Sequence, residues 1–416
     1  MFCLTIAGTL AQADVNLSDM TPTHVAYLDH AATTPMDPAA IEAMVAHMGT
    51  VGNPSSLHRS GRDARRLVEE SREDIARIFG SAPSEVVFTS GGTESDNLAI
   101  KGIFWARNKE ASRPRVLLSA IEHHAVMDPA HWLATHEGAE LVWIPVDESG
   151  LIDLDFLAAE IAANHERIAL VSVMWANNEV GTIQPIEQVV ELAHAHGIPV
   201  HSDAVQAAGH LPINFSSSGL DAMTITAHKL GGPVGVGALF AARNLTLVPV
   251  QHGGGQEREV RSGTLDAPGI TAFAAAVKAA DGRREAEATR LEALRDQIIQ
   301  GISSKIPSAH VRGIDVTGPD RGKRLPSHAH FTFEGCEGDS LIFLLDNAGV
   351  QLSTGSACQA GVPQPSHVLL AMGVSERDAR GALRFTLGNT SSQQDVDLLL
   401  DVLPGAVERA TAAGLA

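Results

Sequence analysis

Six short runs rich in Val, Ile and Leu, at 85–89, 115–119, 140–146, 168–174, 198–202 and 221–226, recur between residues 85 and 226, separated by segments of helical period such as Pro185 to His196. Apolar strands that do not alternate with polar residues are buried on both faces, so the pattern predicts a mainly parallel sheet covered by helices on each side. The expected fold class is α/β. Ahead of the sheet, Asp37-Pro38 reads as a helix cap followed by proline at the first helical position, with Gly49 as the stop. A second helix is expected from about Ser60 to Phe79, ended by Gly80, and a long Ala/Glu/Arg-rich helix from about Ala267 to Ile302 closes the region. Beyond it the pattern changes. Strands are expected at 329–333 and 382–386, helices near 338–348 and 392–412, and a Gly/Ser/Pro-rich loop at 353–365, which together read as a smaller α+β unit.

Charge and cysteine content exclude several function classes. Thirty basic residues against 49 acidic ones, a net charge of -19 and the lack of a Lys/Arg block argue against an electrostatic grip on nucleic acid or an anionic membrane. No apolar run reaches the about 18 residues of a spanning helix. Met1 to Ala13 has an apolar stretch but lacks the basic start of a signal peptide, so residues 1–20 are expected to be a disordered extension. Three scattered cysteines, Cys3, Cys336 and Cys358, do not build a disulfide framework or a zinc site, and a reducing, cytoplasmic compartment is expected. The histidine pairs His123-His124 and His194/His196 carry no acidic or Cys ligand pattern, so no metal is expected.

Ligands of open α/β sheets sit at the carboxyl ends of the strands. After the run at 85–89 comes Thr89-Ser-Gly-Gly-Thr-Glu-Ser-Asp96, a glycine turn opening a helix: either a tight turn only, or an anion site made of bare amides and the helix dipole. The cluster Gly231 to Gly237 precedes a strand, not a helix, and reads as a structural hairpin. Asp203, directly after a buried strand, is a helix cap or a buried acceptor for a cationic ligand group. Lys229 ends a strand of apolar and small residues, in a chain with only six lysines. Burial lowers an amine's pKa and makes it the nucleophile that Schiff-base formation with an aldehyde requires. Amine for aldehyde, helix terminus for phosphate and carboxylate for a pyridinium nitrogen together describe a site for pyridoxal 5'-phosphate (PLP).

Ordered motifs extend the pattern. Tyr27-Leu-Asp-His-Ala-Ala-Thr-Thr-Pro35, Gly52-Asn-Pro-Ser-Ser56, Phe88 to Asn97, Asn177-Asn-Glu-Val-Gly181, Asp203-Ala-Val-Gln206, His228-Lys229, Arg261-Ser-Gly-Thr264, Gly355-Ser-Ala-Cys358 and Leu383-Arg-Phe385 resemble the NifS/IscS-like cysteine desulfurases of the class V aminotransferase group, from about Tyr27 to Val402. The resemblance implies a PLP fold-type I homodimer with a mainly parallel seven-stranded sheet. It places a large PLP-binding domain at 37–285 and a small domain at 21–36 and 286–416, the latter carrying the Cys358 loop.

Position by position, the resemblance implies that Lys229 binds the cofactor aldehyde, Asp203 pairs with the ring nitrogen and His123 stacks on the ring with an acid/base role. Gln206 and Asn178 reach the phenolic oxygen, while Gly92, Thr93, Thr226 and His228 hold the phosphate, joined by Thr264 from the partner subunit. Arg384, with Asn178, binds the substrate carboxylate. Cys358 takes sulfur from L-cysteine as a persulfide, L-alanine leaves, and a protein acceptor for iron-sulfur assembly or tRNA thiolation receives the sulfur. Better-known members carry Cys-Thr-Ser-Ala where this chain has Cys358-Gln-Ala-Gly361, and a serine is common where Thr226 stands. A long, mobile Cys loop is expected. Another class V activity (aminotransferase, selenocysteine lyase or β-lyase) would keep Lys229 and Asp203 without needing Cys358, and a silent scaffold would need none of them.

Overall fold

The computed structural model describes residues 24–109, 111–355 and 364–414. The expected extension at 1–20 and Cys358 with its loop therefore lie outside the described residues. Strands in chain order are β1 Ala26–Tyr27, β2 Val86–Thr89, β3 Arg115–Ser119, β4 Glu140–Ile144, β5 Ile168–Ser172, β6 Val200–Asp203, β7 Ala222–Thr226, β8 Gly237–Ala241, β9 Ala309–Val311, β10 His328–Phe333, β11 Val350–Gln351 and β12 Ala382–Thr386. The helices are α1 Pro38–Met48, α2 Arg59–Ile78, α3 Gly92–Arg107, α4 His124–Glu137, α5 Leu154–Asn164, α6 Ile186–His194, α7 Phe215–Ser218, α8 Ala267–Lys305, α9 Gly338–Asp346, α10 His367–Ala371, α11 Glu376–Ala379 and α12 Gln393–Gly414.

Seven strands form one sheet in the order β2-β8-β7-β6-β5-β3-β4. All its pairings are parallel except the two made by β8, which runs antiparallel to β2 and β7. The expected hairpin at Gly231 to Gly237 is the turn between β7 and β8. Strands β2, β5, β6 and β7 are buried along their whole length, although β6 carries the polar His201, Ser202 and Asp203. Asp37 caps α1, its carboxylate accepting from the Ala39 N–H. Gly49 ends that helix with φ -89, so it is not the left-handed stop expected of it; Gly80, at φ +62, is one.

Two large apolar cores share α8. Its first half (Ile270, Phe273, Val277) packs into the core under the seven-stranded sheet. Its second half (Leu291, Ile298, Ile302) packs with Phe331, Phe385, Leu399 and Leu403 against the antiparallel sheet β12-β10-β9. Ala26 and Leu28 join the second core because β1 pairs with β11. The chain's start is thereby tied to its last third.

One buried ion pair crosses the first unit. Arg72 on α2 makes a two-pronged contact with Glu257, Nη1 to Oε2 at 2.7 Å and Nη2 to Oε1 at 2.8 Å, and Glu257 also accepts from the Phe88 N–H at 2.9 Å. Removing one partner of such a pair leaves a buried charge uncompensated. Arg72→Leu is expected to destabilise the fold by about 3–5 kcal/mol, read as a lower urea midpoint. A loss below about 1 kcal/mol, the range of exposed pairs, would show that the pair is solvated.

Candidate active site

A cavity of about 420 Å³ opens at the carboxyl ends of the parallel strands, and it collects Gly92, Thr93, His123, Asn178, Asp203, Gln206, Thr226, His228, Lys229 and Arg384. Ten of the twelve residues expected from the sequence thus line a single space. Thr264 does not: it is exposed, in the turn before α8. Cys358, the twelfth, lies outside the described residues.

Glycine makes the α3 end of the cavity. Gly91 precedes the helix at φ 149, and a Cβ on Gly237 would come within 2.7 Å of the Gly91 Cα. Only glycines permit that approach of β8 to the turn. No side chain caps α3, so its positive end faces the cavity through Gly92 and Thr93. Thr226 ends β7 opposite, its hydroxyl donating to the Val236 carbonyl at 3.3 Å, and His228 Nδ1 lies 3.3 Å from the Thr33 hydroxyl.

Lys229 follows β7 in a short 3-10 turn. Its amine donates to the carbonyls of Ala31 and Ala32, the latter at 2.6 Å. Burial, helped by the positive charge of Arg384, lowers its pKa to about 8. Asp203 ends β6 and is not a helix cap, since a turn and not a helix follows it: Oδ1 accepts from the Val205 N–H at 2.9 Å, and the side chain is buried. Burial first, then the nearby Asp96, raise its pKa to about 7. A carboxyl held that high gains by meeting a cation.

His123 caps α4, its Nδ1 accepting from the Ala125 N–H at 3.1 Å, which places the proton of the neutral ring on Nε2. Burial and the charge of Lys229 lower its pKa to about 4. Gln206 donates to the Ala31 carbonyl at 3.1 Å, so the segment that touches Lys229 also positions the amide.

Arg384, on β12, reaches the cavity from the second unit. Nη1 donates to the Asn178 carbonyl at 3.0 Å, and Nη2 donates to Asp29 at 2.8 Å and to the Ser353 hydroxyl at 3.0 Å. Its Nε is buried without a partner among the described residues. Both flanks of the undescribed 356–363 segment are tied beside it. Ser353 contacts Arg384, and the Ser366 hydroxyl donates to the buried Glu179 at 2.5 Å.

Comparison with known proteins decides the family. The Aminotransferase class-V family matches residues 26–399. The chain is 55% identical over 393 residues to the IscS-like cysteine desulfurase of Mycobacterium tuberculosis, covering 94% of this chain and 98% of that one. This chain belongs to the IscS-like cysteine desulfurases. It is also 41% identical to the cysteine desulfurase IscS of Dictyoglomus turgidum, covering 92% and 94% of the two chains. A solved NifS-like protein superposes with a TM-score of 0.84 at 33% identity, covering 92% of this chain and all of the other. The NifS-like protein from Rickettsia africae gives 0.82 at 31%, with the same coverages.

Members of the class V family are generally PLP-dependent enzymes. Against that background two cavity features escaped the sequence reading. The carbonyls of Ala31 and Ala32 were invisible because any residue supplies a carbonyl. Asp96 also lines the cavity. Its spacing of four from Gly92 puts it on the same helix face, a signal that was available.

Proposed function

We propose that this chain converts L-cysteine to L-alanine and retains the sulfur on Cys358 as a persulfide, with PLP in the described cavity. The observation that carries the reading is the convergence there of a lysine amine near pKa 8, a buried aspartate near 7 and an arginine with an unpartnered Nε. The residues present fit the cofactor, since a buried carboxyl at the end of β6 and an uncapped helix start match a ring nitrogen and a phosphate. Lys229 meets the aldehyde, Asp203 the ring nitrogen, His123 the ring face, and Gln206 and Asn178 the phenolic oxygen. Gly92, Thr93, Thr226 and His228 hold the phosphate, with Thr264 contributed across a homodimer. PLP, when bound, supplies an aldehyde for amines and a ring that takes up electrons released at the substrate Cα.

Arg384, positioned by Asp29 and Ser353, binds the substrate carboxylate with Asn178 beside it, and so orients Cα toward Lys229. The Lys229 amine takes the proton from Cα. The Cys358 thiolate attacks the substrate sulfur, the Cβ–S bond breaks, and Cβ gains a proton, with His123 placed to assist. L-cysteine and a thiol become L-alanine and a persulfide, with no outside oxidant or reductant. Cys336 is not the nucleophile: it is buried, its thiol lies 3.3 Å from the Thr411 hydroxyl, and burial raises its pKa.

The persulfide passes to a protein acceptor, an iron-sulfur scaffold or a tRNA-thiolating enzyme, in the cytoplasm. Among the described residues no helix is long and apolar enough to cross a membrane. Exposed Ile41, Val45, Met48, Val51 and Leu57, on and just beyond α1, support the homodimer.

Substitution tests the reading. With labelled cysteine, the native chain is expected to retain labelled sulfur on Cys358. Cys358→Ala is expected to lose at least about 100-fold in alanine formation while binding PLP normally, and Cys336→Ala to behave as the native chain. Full-rate desulfuration by Cys358→Ala would overturn the persulfide mechanism.

A further inference from the structure

A buried acid that this mechanism does not use stands in the wall of the same cavity. Asp96, in the second turn of α3, is 1% exposed and lines the cavity together with Asp203. Neither of its oxygens accepts a well-formed hydrogen bond. The polar groups beside it are His201 Nε2, at 3.5 Å, and the Thr224 hydroxyl. An acid so enclosed must keep its proton or find a cation.

We propose that Asp96 is a positioning residue for the cofactor's ring nitrogen: with Asp203 it forms a coupled carboxyl pair in which Asp96 carries the proton and Asp203 the negative charge. The inference rests on the reading that the cavity takes PLP. Two carboxyls in one low-dielectric space do not both ionise readily, and their protons belong to the pair. The surroundings break the symmetry. Asp203 has the Val205 N–H at 2.9 Å and the Lys229 charge on its side. Asp96 has no cation of its own.

The other groups facing the pair leave that assignment intact. His201, next to Asp203 on β6, has Nδ1 2.9 Å from the Ser172 hydroxyl and Nε2 3.2 Å from the Thr224 hydroxyl, and burial keeps it neutral with a pKa of about 4. Glu122, between β3 and α4, is buried and uncharged, its Oε1 accepting from the Met174 N–H at 2.6 Å, while burial and the charge of Asp203 push its pKa up. His123 is neutral, and Lys229 is the cation facing Asp203 from the turn after β7. Burial raises Asp96 to about 7.

Loss of the Asp96 proton as pH rises puts a second negative charge near the ring nitrogen and strengthens its hold on a proton. Asp96→Asn keeps the shape but fixes that position neutral. In the holoenzyme, ring-15N-labelled PLP followed by NMR is expected to lose the pyridinium signal at least about one pH unit lower in Asp96→Asn than in the native chain. The apoprotein supplies an independent readout. A carboxyl whose folded pKa is raised contributes stability below about pH 4 that is lost as pH rises through about 7. The melting-temperature difference, variant minus native, is therefore expected to grow by about 2 °C or more from pH 5 to pH 8.

Asp96→Ala, equally uncharged, is expected to show the same growth on a lower baseline. Curves parallel to the native one at every pH, for both variants, would overturn the coupling and leave Asp96 a packing residue. Failure of the native chain to bind PLP would overturn the proposed function, with the apoprotein curves still deciding whether Asp96 holds a proton in the fold.

Discussion

Lys229→Ala is expected to lower alanine formation from cysteine by at least about 1,000-fold, because one side chain serves as both anchor and base. The reason lies in its surroundings. Burial brings the amine to about 8, so roughly a tenth of it is neutral at pH 7, against about one part in 3,000 for an ordinary lysine at 10.5. Only the neutral amine attacks an aldehyde or accepts a proton from Cα. The carbonyls of Ala31 and Ala32 hold the amine in place without removing its charge. Lys229→Arg separates nucleophilicity from charge, since a guanidinium keeps the charge but does not deprotonate. It is expected to be as inactive as the alanine variant, with the visible absorption of lysine-bound PLP missing from both. Retention of a tenth of native turnover by Lys229→Arg would show that Lys229 acts only as a cation.

The second large effect is expected at Asp203. Asp203→Asn preserves an oxygen to accept from the Val205 N–H and nearly the same volume, so β6 and its end remain in place. What it removes is the negative charge that we propose faces the ring nitrogen. Loss of one preorganised electrostatic group at a reacting centre costs about 100- to 1,000-fold in kcat. The fall is expected in kcat, with KM for cysteine little changed because Arg384 and Asn178, to which the proposed function assigns the carboxylate, are untouched. Steady-state kinetics of PLP-saturated protein measure the split. A kcat within about threefold of native would remove Asp203 from the chemistry.

Most strands of the main sheet were legible as apolar runs, β6 through the 198–200 start of its run rather than its own Val-His-Ser-Asp, and both long helices announced themselves by period and composition. The site was legible where chemistry needs an unusual residue in an unusual place. A lysine at the end of an apolar strand and an aspartate after another are such cases. Asp96 was legible only as far as its four-residue spacing from Gly92, and its place in the cavity wall with Asp203 exists only in the fold. Arg384 stood out only through the resemblance. Its contacts with Asp29 and Asn178 span more than two hundred residues of chain, and no local pattern encodes them.

Sequence alone determined six strands of the main sheet, the glycine stop at Gly80, and which amine, acid and thiol are candidates for chemistry, because burial period and residue type are local properties; the short strands β1, β9 and β11 carry no such signal. Tertiary structure decided the strand order, the antiparallel insertion of β8 between β2 and β7, and the pairing of β1 with β11 that ties the segment leading to Ala31 and Ala32 to the last quarter of the chain. It also decided the protonation of the site. The pKa of Lys229, Asp203 or Asp96 is set by water excluded and charges approached across distant elements, and those exist only once the chain has folded.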